Sequence, residues 1–144
     1  MRYLLFLFLS TSLAWANPMR FGRTDSPASF KVDLQGSWLR SKIDGCFEDV
    51  LGSRLQAIIV ENPERTEANT FPDWQKQRKR QGYEVYRVDL QGVPALIAKG
   101  PDNCLGVILR KGYQVNLMLN VSNPEVRMDD LLDQMAKTFT WLNP

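Results

Sequence analysis

The stretch Tyr113-Gln114-Val115-Asn116-Leu117-Met118-Leu119-Asn120-Val121 alternates with a period of two. Tyr113, Val115, Leu117, Leu119 and Val121 fall on one side of an extended chain, and Gln114, Asn116, Met118 and Asn120 on the other. Such alternation predicts a central strand with one buried face. Upstream, Gln91-Gly92, Gly100-Pro101-Asp102-Asn103 and Lys111-Gly112 punctuate three more extended runs, Tyr83–Leu90, Val93–Lys99 and Cys104–Arg110. Downstream, Asn123-Pro124 opens a closing helix in which Met128, Leu131, Leu132, Met135, Phe139 and Leu142 recur at helical spacing.

Nearer the start, Phe30–Leu34, Ser37–Ile43, Cys46–Val50 and Arg54–Val60 predict a four-stranded antiparallel meander, turning at Gln35-Gly36, Asp44-Gly45 and Gly52-Ser53. The polar stretch Glu61–Thr70 reads as a loop. Thr70 then caps a helix with Pro72 in its first turn and Gly82 just past its end. Only Phe71, Trp74 and Gln81 mark a buried stripe on it, so this helix lies shallowly and turns Lys76, Arg78, Lys79 and Arg80 outward. The expected fold is α+β: an antiparallel sheet of about seven to eight strands, a shallow mid-chain helix and a packed C-terminal helix. The pentapeptide Val32-Asp33-Leu34-Gln35-Gly36 recurs as Val88-Asp89-Leu90-Gln91-Gly92, which reads as convergence on a good strand-to-turn sequence.

Residues 1–16 carry a positive start, an apolar run from Tyr3 to Leu9, and the small pair Ala14-x-Ala16, the pattern of a secretory signal peptide. The run is shorter than the roughly 20 residues a membrane span needs, and no Cys adjoins the cleavage site. The expectation is therefore export to the periplasm as a soluble chain beginning at Asn17, without stable membrane insertion. Residues 17–27 read as a loose leader and 28–144 as a single domain.

The 144 residues contain no His, which removes Ser-His-Asp and Cys-His nucleophiles, histidine bases and nearly all catalytic zinc sites. Eighteen Lys and Arg against 16 Asp and Glu leave a net charge of +2, too even for nucleic acid as a partner. Cys46 and Cys104 are the two cysteines. In an oxidising compartment they are expected to pair, closing a loop of about 57 residues worth up to about 4 kcal/mol, with two separate buried thiols as the alternative.

Candidate chemistry is sparse. Glu48-Asp49 on a strand point to opposite faces, and Asp129-Asp130 suit the positive end of the last helix, so neither pair reads as an acid–base or calcium site. Glu61, Glu64 and Glu67 form an acidic loop; Arg78, Lys79 and Arg80 form a basic helix face beside Trp74; Asp102 tips a turn. These eight residues are the expected partner-binding set, with the aromatic as anchor and the charges steering encounter. No catalytic residue, metal ligand or cofactor is expected.

The order of strand, Gly36-Ser37-Trp38 turn, Asp44-Gly45 turn, mid-chain helix, Gln91-Gly92-Val93-Pro94-Ala95, then Arg110-Lys111-Gly112-Tyr113 and a terminal Lys137-Thr138-Phe139 resembles the PsbP-like/DcrB-like superfamily of small α+β domains, over Phe30 to Leu142. The resemblance implies a largely non-enzymatic family of photosystem accessory subunits, periplasmic lipoproteins and adaptors for secretion-system effectors. This chain departs from the lipoproteins in lacking a lipidation Cys. The expected function is a periplasmic protein-binding module, most specifically an immunity or inhibitor protein against a cell-envelope-directed toxin, effector or enzyme. The alternatives are a periplasmic accessory or small-ligand or metal-binding protein, and an enzyme working with carboxylates alone.

Overall fold

The computed structural model describes residues 18–144, so the signal-peptide expectation for residues 1–16 lies outside the described part. In chain order the elements are β1 (Met19–Phe21), β2 (Phe30–Val32), β3 (Leu39–Arg40), β4 (Cys46–Glu48), β5 (Arg54–Glu61), α1 (Glu67–Arg80), β6 (Glu84–Leu90), β7 (Val93–Lys99), β8 (Asn103–Arg110), β9 (Tyr113–Asn120), α2 (Met128–Thr138) and β10 (Thr140–Trp141). The alternating strand β9 is the middle of a seven-stranded antiparallel sheet ordered β3-β4-β5-β9-β8-β7-β6. Val115, Leu117 and Leu119 are buried on its apolar face, flanked by Leu55 of β5 and Ile108 of β8. Each such side chain contributes about 1.5–3 kcal/mol of burial. The hairpins on either side of β8 and β7 close as the turn residues predict. Gln91 and Gly92 (φ 54° and 84°) and Lys111 and Gly112 (φ 48° and 82°) both take the paired positive-φ conformation that matches strand twist.

A second layer covers this apolar face: α2, and a three-stranded sheet ordered β1-β2-β10. Phe21, Phe30 and Phe139 stack in series at centroid spacings of 4.9 and 4.7 Å, and Phe47 meets Phe21 edge-on at 5.1 Å, joining the small sheet to the large one. Met128, Leu131, Leu132 and Met135 are the buried stripe of α2. On the opposite face of the large sheet α1 buries only Thr70 and Phe71, so the expected contrast between a packed and a shallow helix holds.

Five expectations are corrected. The stretch from Phe30 leaves the meander: Lys31 pairs with Arg20 on one side and Thr140 on the other, and the strand expected over Ser37–Ile43 shrinks to Leu39–Arg40. The leader expected to be loose supplies β1, whose Met19 and Phe21 are 1% exposed; three residues are too few to display a period. The mid-chain helix begins one turn earlier, at Glu67, because Thr66 and Asn69 form a reciprocal capping box. The last helix begins at Met128, while Asn123 sits in a turn where its side chain accepts from the Glu125 N–H, and Leu142 lies beyond β10. Finally, Cys46 and Cys104 are separate, buried, free thiols. Strands β5 and β9 lie between β4 and β8, so no disulfide can span the distance.

Candidate binding surface

The structure separates the eight partner-binding residues into two groups at opposite ends of the sheet. Glu61 pairs with Tyr113 at one end of β5 and β9, whereas Asn103, beside Asp102, pairs with Asn120 at the other. Seven residue steps along a strand place the acidic loop and the Asp102 turn about 24 Å apart. Glu64 is exposed in the turn before α1, and its carbonyl accepts from Asn69 Nδ2. Glu67 in the first turn is engaged by Arg87 at 2.7 Å, itself over the Phe71 ring at 5.9 Å. Asp102 is exposed, and its carbonyl accepts the Val121 N–H.

Helix α1 connects the two ends. Its last turn is stopped by Gly82 (φ 92°), whose N–H donates to Lys79 O while Tyr83 N–H donates to Arg78 O. That termination leaves Lys79 and Arg80 exposed beside the negative end of the helix, where cations are favoured. Trp74 and Arg78 lie one turn apart and half-buried, with the guanidinium 5.2 Å from the indole centroid. Arg78 Nη1 donates to Gln81, and its buried Nε has no partner among the described residues.

Trp74 and Arg78 form the wall of a groove that the sequence reading missed. Because α1 covers only β6, β7 and part of β8, the β5–β9 half of this face is bare: Ile58 is 49%, Val60 41% and Met118 36% exposed. Gln56, Ile58, Asn116 and Met118 floor the groove, whose volume is about 170 Å³. The signal was present in β9, whose second face reads amide, amide, Met, amide, with no charge to mark a solvated surface.

Three of the four acids in the pairs Glu48-Asp49 and Asp129-Asp130 are occupied structurally. Glu48 bonds Arg54 at 2.7 Å, and Asp49 Oδ1 accepts the N–H groups of Leu51 and Ser53. Asp129 receives a bond from Lys99 at 2.8 Å, which holds its carboxyl below the ordinary value and the Lys99 ammonium above its own. Burial, foremost, raises Tyr86 and pushes the Cys104 thiol up to about 12. Among the described residues no three His, Cys, Asp or Glu side chains gather as metal ligands, and no helix is long and apolar enough to cross a membrane.

No family model matches the chain, and no curated protein matches it in sequence. Among solved structures it is similar to the solution structure of cyanobacterial PsbP (CyanoP) from Synechocystis sp. PCC 6803, at 18% identity and a TM-score of 0.52 over 88% of this chain and 93% of that one. The fold is PsbP-like.

Proposed function

We propose that this PsbP-like chain is a non-enzymatic binding module of the periplasm that docks an acidic, apolar-studded segment of another protein against the bare half of its sheet. The observation that carries this reading is the exposure of Ile58, Val60 and Met118 in the large sheet, beside the Trp74–Arg78 stack and the basic last turn of α1. Apolar area next to an aromatic–arginine pair is the composition of an interface centre. Arg78 and Arg80 would complement acidic groups on the partner. The finer reading is an immunity or inhibitor protein acting on a cell-envelope-directed toxin or enzyme; the secretion pattern around Ala14-x-Ala16 supports that compartment.

The test has two parts. Protein recovered from the cell envelope should begin Asn-Pro-Met-Arg, two residues before β1; recovery of intact Met1 from the cytoplasm would remove the periplasmic role. Immobilised protein should retain an envelope protein that Met118→Lys and the double reversal Arg78→Glu/Arg80→Glu both release, with unchanged far-UV circular dichroism. Retention that neither change weakens would overturn the docking surface.

A further inference from the structure

A cleft of about 580 Å³ lies on the other side of the large sheet, where the small sheet stops short of β4 and β5. One wall is the loop after β1, the other the β3–β4 hairpin, and the floor is Phe47, Ala57, Ile59 and Tyr113. Both walls depend on a glycine. A Cβ at Gly22 (φ 92°) would lie 2.5 Å from Ser29 Oγ and 2.9 Å from Ile59 Cδ1, and one at Gly45 (φ 68°) would lie 2.5 Å from the Ala57 carbonyl oxygen. The first wall is also pinned: Ser29 Oγ donates to Arg23 O, and Asn143 Nδ2 donates to the carbonyls of Thr24 and Ser26.

Over this apolar floor the rim carries charge of both signs. Arg23 pairs with Asp25 at 3.8 Å, but Arg20, Arg40, Asp44 and Glu61 have no ion partner among the described residues. Arg40 is oriented by Phe47, with its guanidinium carbon 5.7 Å from the ring centroid. A simple anion would gain from the two arginines and be repelled by the two carboxylates; a simple cation meets the reverse. A ligand with both charges satisfies both, and the cleft has the size of small-molecule sites.

We propose that this cleft binds a zwitterion, a free amino acid or short peptide. Its carboxylate lies toward Arg40 and Arg20, its ammonium toward Glu61 and Asp44, and its apolar side chain on Ile59 and Tyr113. The site faces away from the proposed docking groove, so either can fail without the other.

The probe is the dipeptide leucyl-alanine, compared with its N-acetylated and C-amidated forms by amide chemical-shift titration. The free dipeptide is expected to shift the Ala57, Ile59 and Tyr113 amides saturably, and each capped form to bind about tenfold more weakly. Arg40→Gln should abolish the penalty of amidation and Glu61→Gln that of acetylation, with melting temperatures unchanged. Absence of a saturable shift at about 10 mM dipeptide, or equal binding of free and capped forms, overturns the proposal.

Discussion

Cys46 and Cys104 stand three strands apart and on opposite faces of the large sheet. Cys46 pairs with Gln56, Gln56 with Met118 and Met118 with Leu105, so the thiol of the preceding residue, Cys104, points through the other side. Three strand spacings are about 14 Å, twice the roughly 7 Å limit for Cα atoms joined by a disulfide. An oxidising compartment supplies the chemistry for a bridge but cannot supply the geometry. Native protein should therefore show an intact mass unchanged by reductant and no labelling by iodoacetamide. Both thiols should react once the chain is unfolded in guanidinium; a two-hydrogen mass deficit in the native protein would contradict the fold.

Alkaline pH should weaken the fold. The Cys104 thiol ionises near 9.0 when unfolded and near 12 when folded, so between those values the native state holds the extra proton. Stability is then fully present below about pH 9 and is lost as pH rises toward 12. Lys99, raised by its bond to Asp129, and Tyr86, raised chiefly by burial, act in the same direction. Urea midpoints should stay level from about pH 6 to 8.5 and fall above it. Cys104→Ala should lose less stability relative to the parent at about pH 10.5 than at pH 7, because it lacks the thiol's share of the decline. A constant difference across that range would assign the decline to other groups.

The repeated pentapeptide shows what could and could not be read from sequence. Val88 to Gly92 does what its residues suggest: Leu90 pairs with Val93, Gln91 and Gly92 make the turn, and Asp89 Oδ1 accepts the Gly92 N–H at 2.6 Å. The identical Val32 to Gly36 makes no hairpin. Its mates β1 and β10 lie at the two ends of the domain, and α2 takes over its backbone groups. Thr138 Oγ1 accepts the Asp33 N–H and donates to its carbonyl, and Gln134 accepts the Gln35 N–H. Local pattern thus determined β6 to β9, where each strand pairs with the next in sequence through a short turn. It could not determine β1 and β2, which pair over only three residues, or the non-local pairings of β2 with β10 and of β5 with β9. The candidate surface follows the same division. Trp74 and Arg78 were legible on the helix, while the bare floor beside them depends on how far α1 reaches across the sheet.

Substitutions in the two helices should separate by depth. Phe139, 1% exposed and stacked 4.7 Å from Phe30, should cost about 3–5 kcal/mol as Phe139→Ala, and Leu132→Ala about 2–5 kcal/mol. Exposed Lys79→Ala should change stability by about 0.5 kcal/mol or less. Arg78→Ala, which uncovers Trp74, should fall between them at about 1 kcal/mol. Equal urea midpoints for the Phe139 and Lys79 variants would mean that the small sheet and α2 do not close the core.

The start of α1 makes the last expectation. Reading Thr70 as the cap placed Pro72 in the first turn, where a missing N–H is harmless. With Glu67 as the first helical residue, Pro72 is the sixth, where the Ala68 carbonyl needs a donor that proline does not have. The capping box offsets this by satisfying the N–H groups of Asn69 and Thr66, so the early start is maintained from the N-terminal end. Thr66→Ala should therefore cost about 1 kcal/mol. Pro72→Ala should stabilise, restoring the hydrogen bond and removing a helix penalty of about 3 kcal/mol, less the roughly 0.4–1 kcal/mol that proline contributes by stiffening the unfolded chain. Pro72 is exposed, so little packing is lost to confuse the result. Thermal melts of the two variants decide the point: a helix truly starting at Thr70 would leave Thr66→Ala neutral and make Pro72→Ala destabilising.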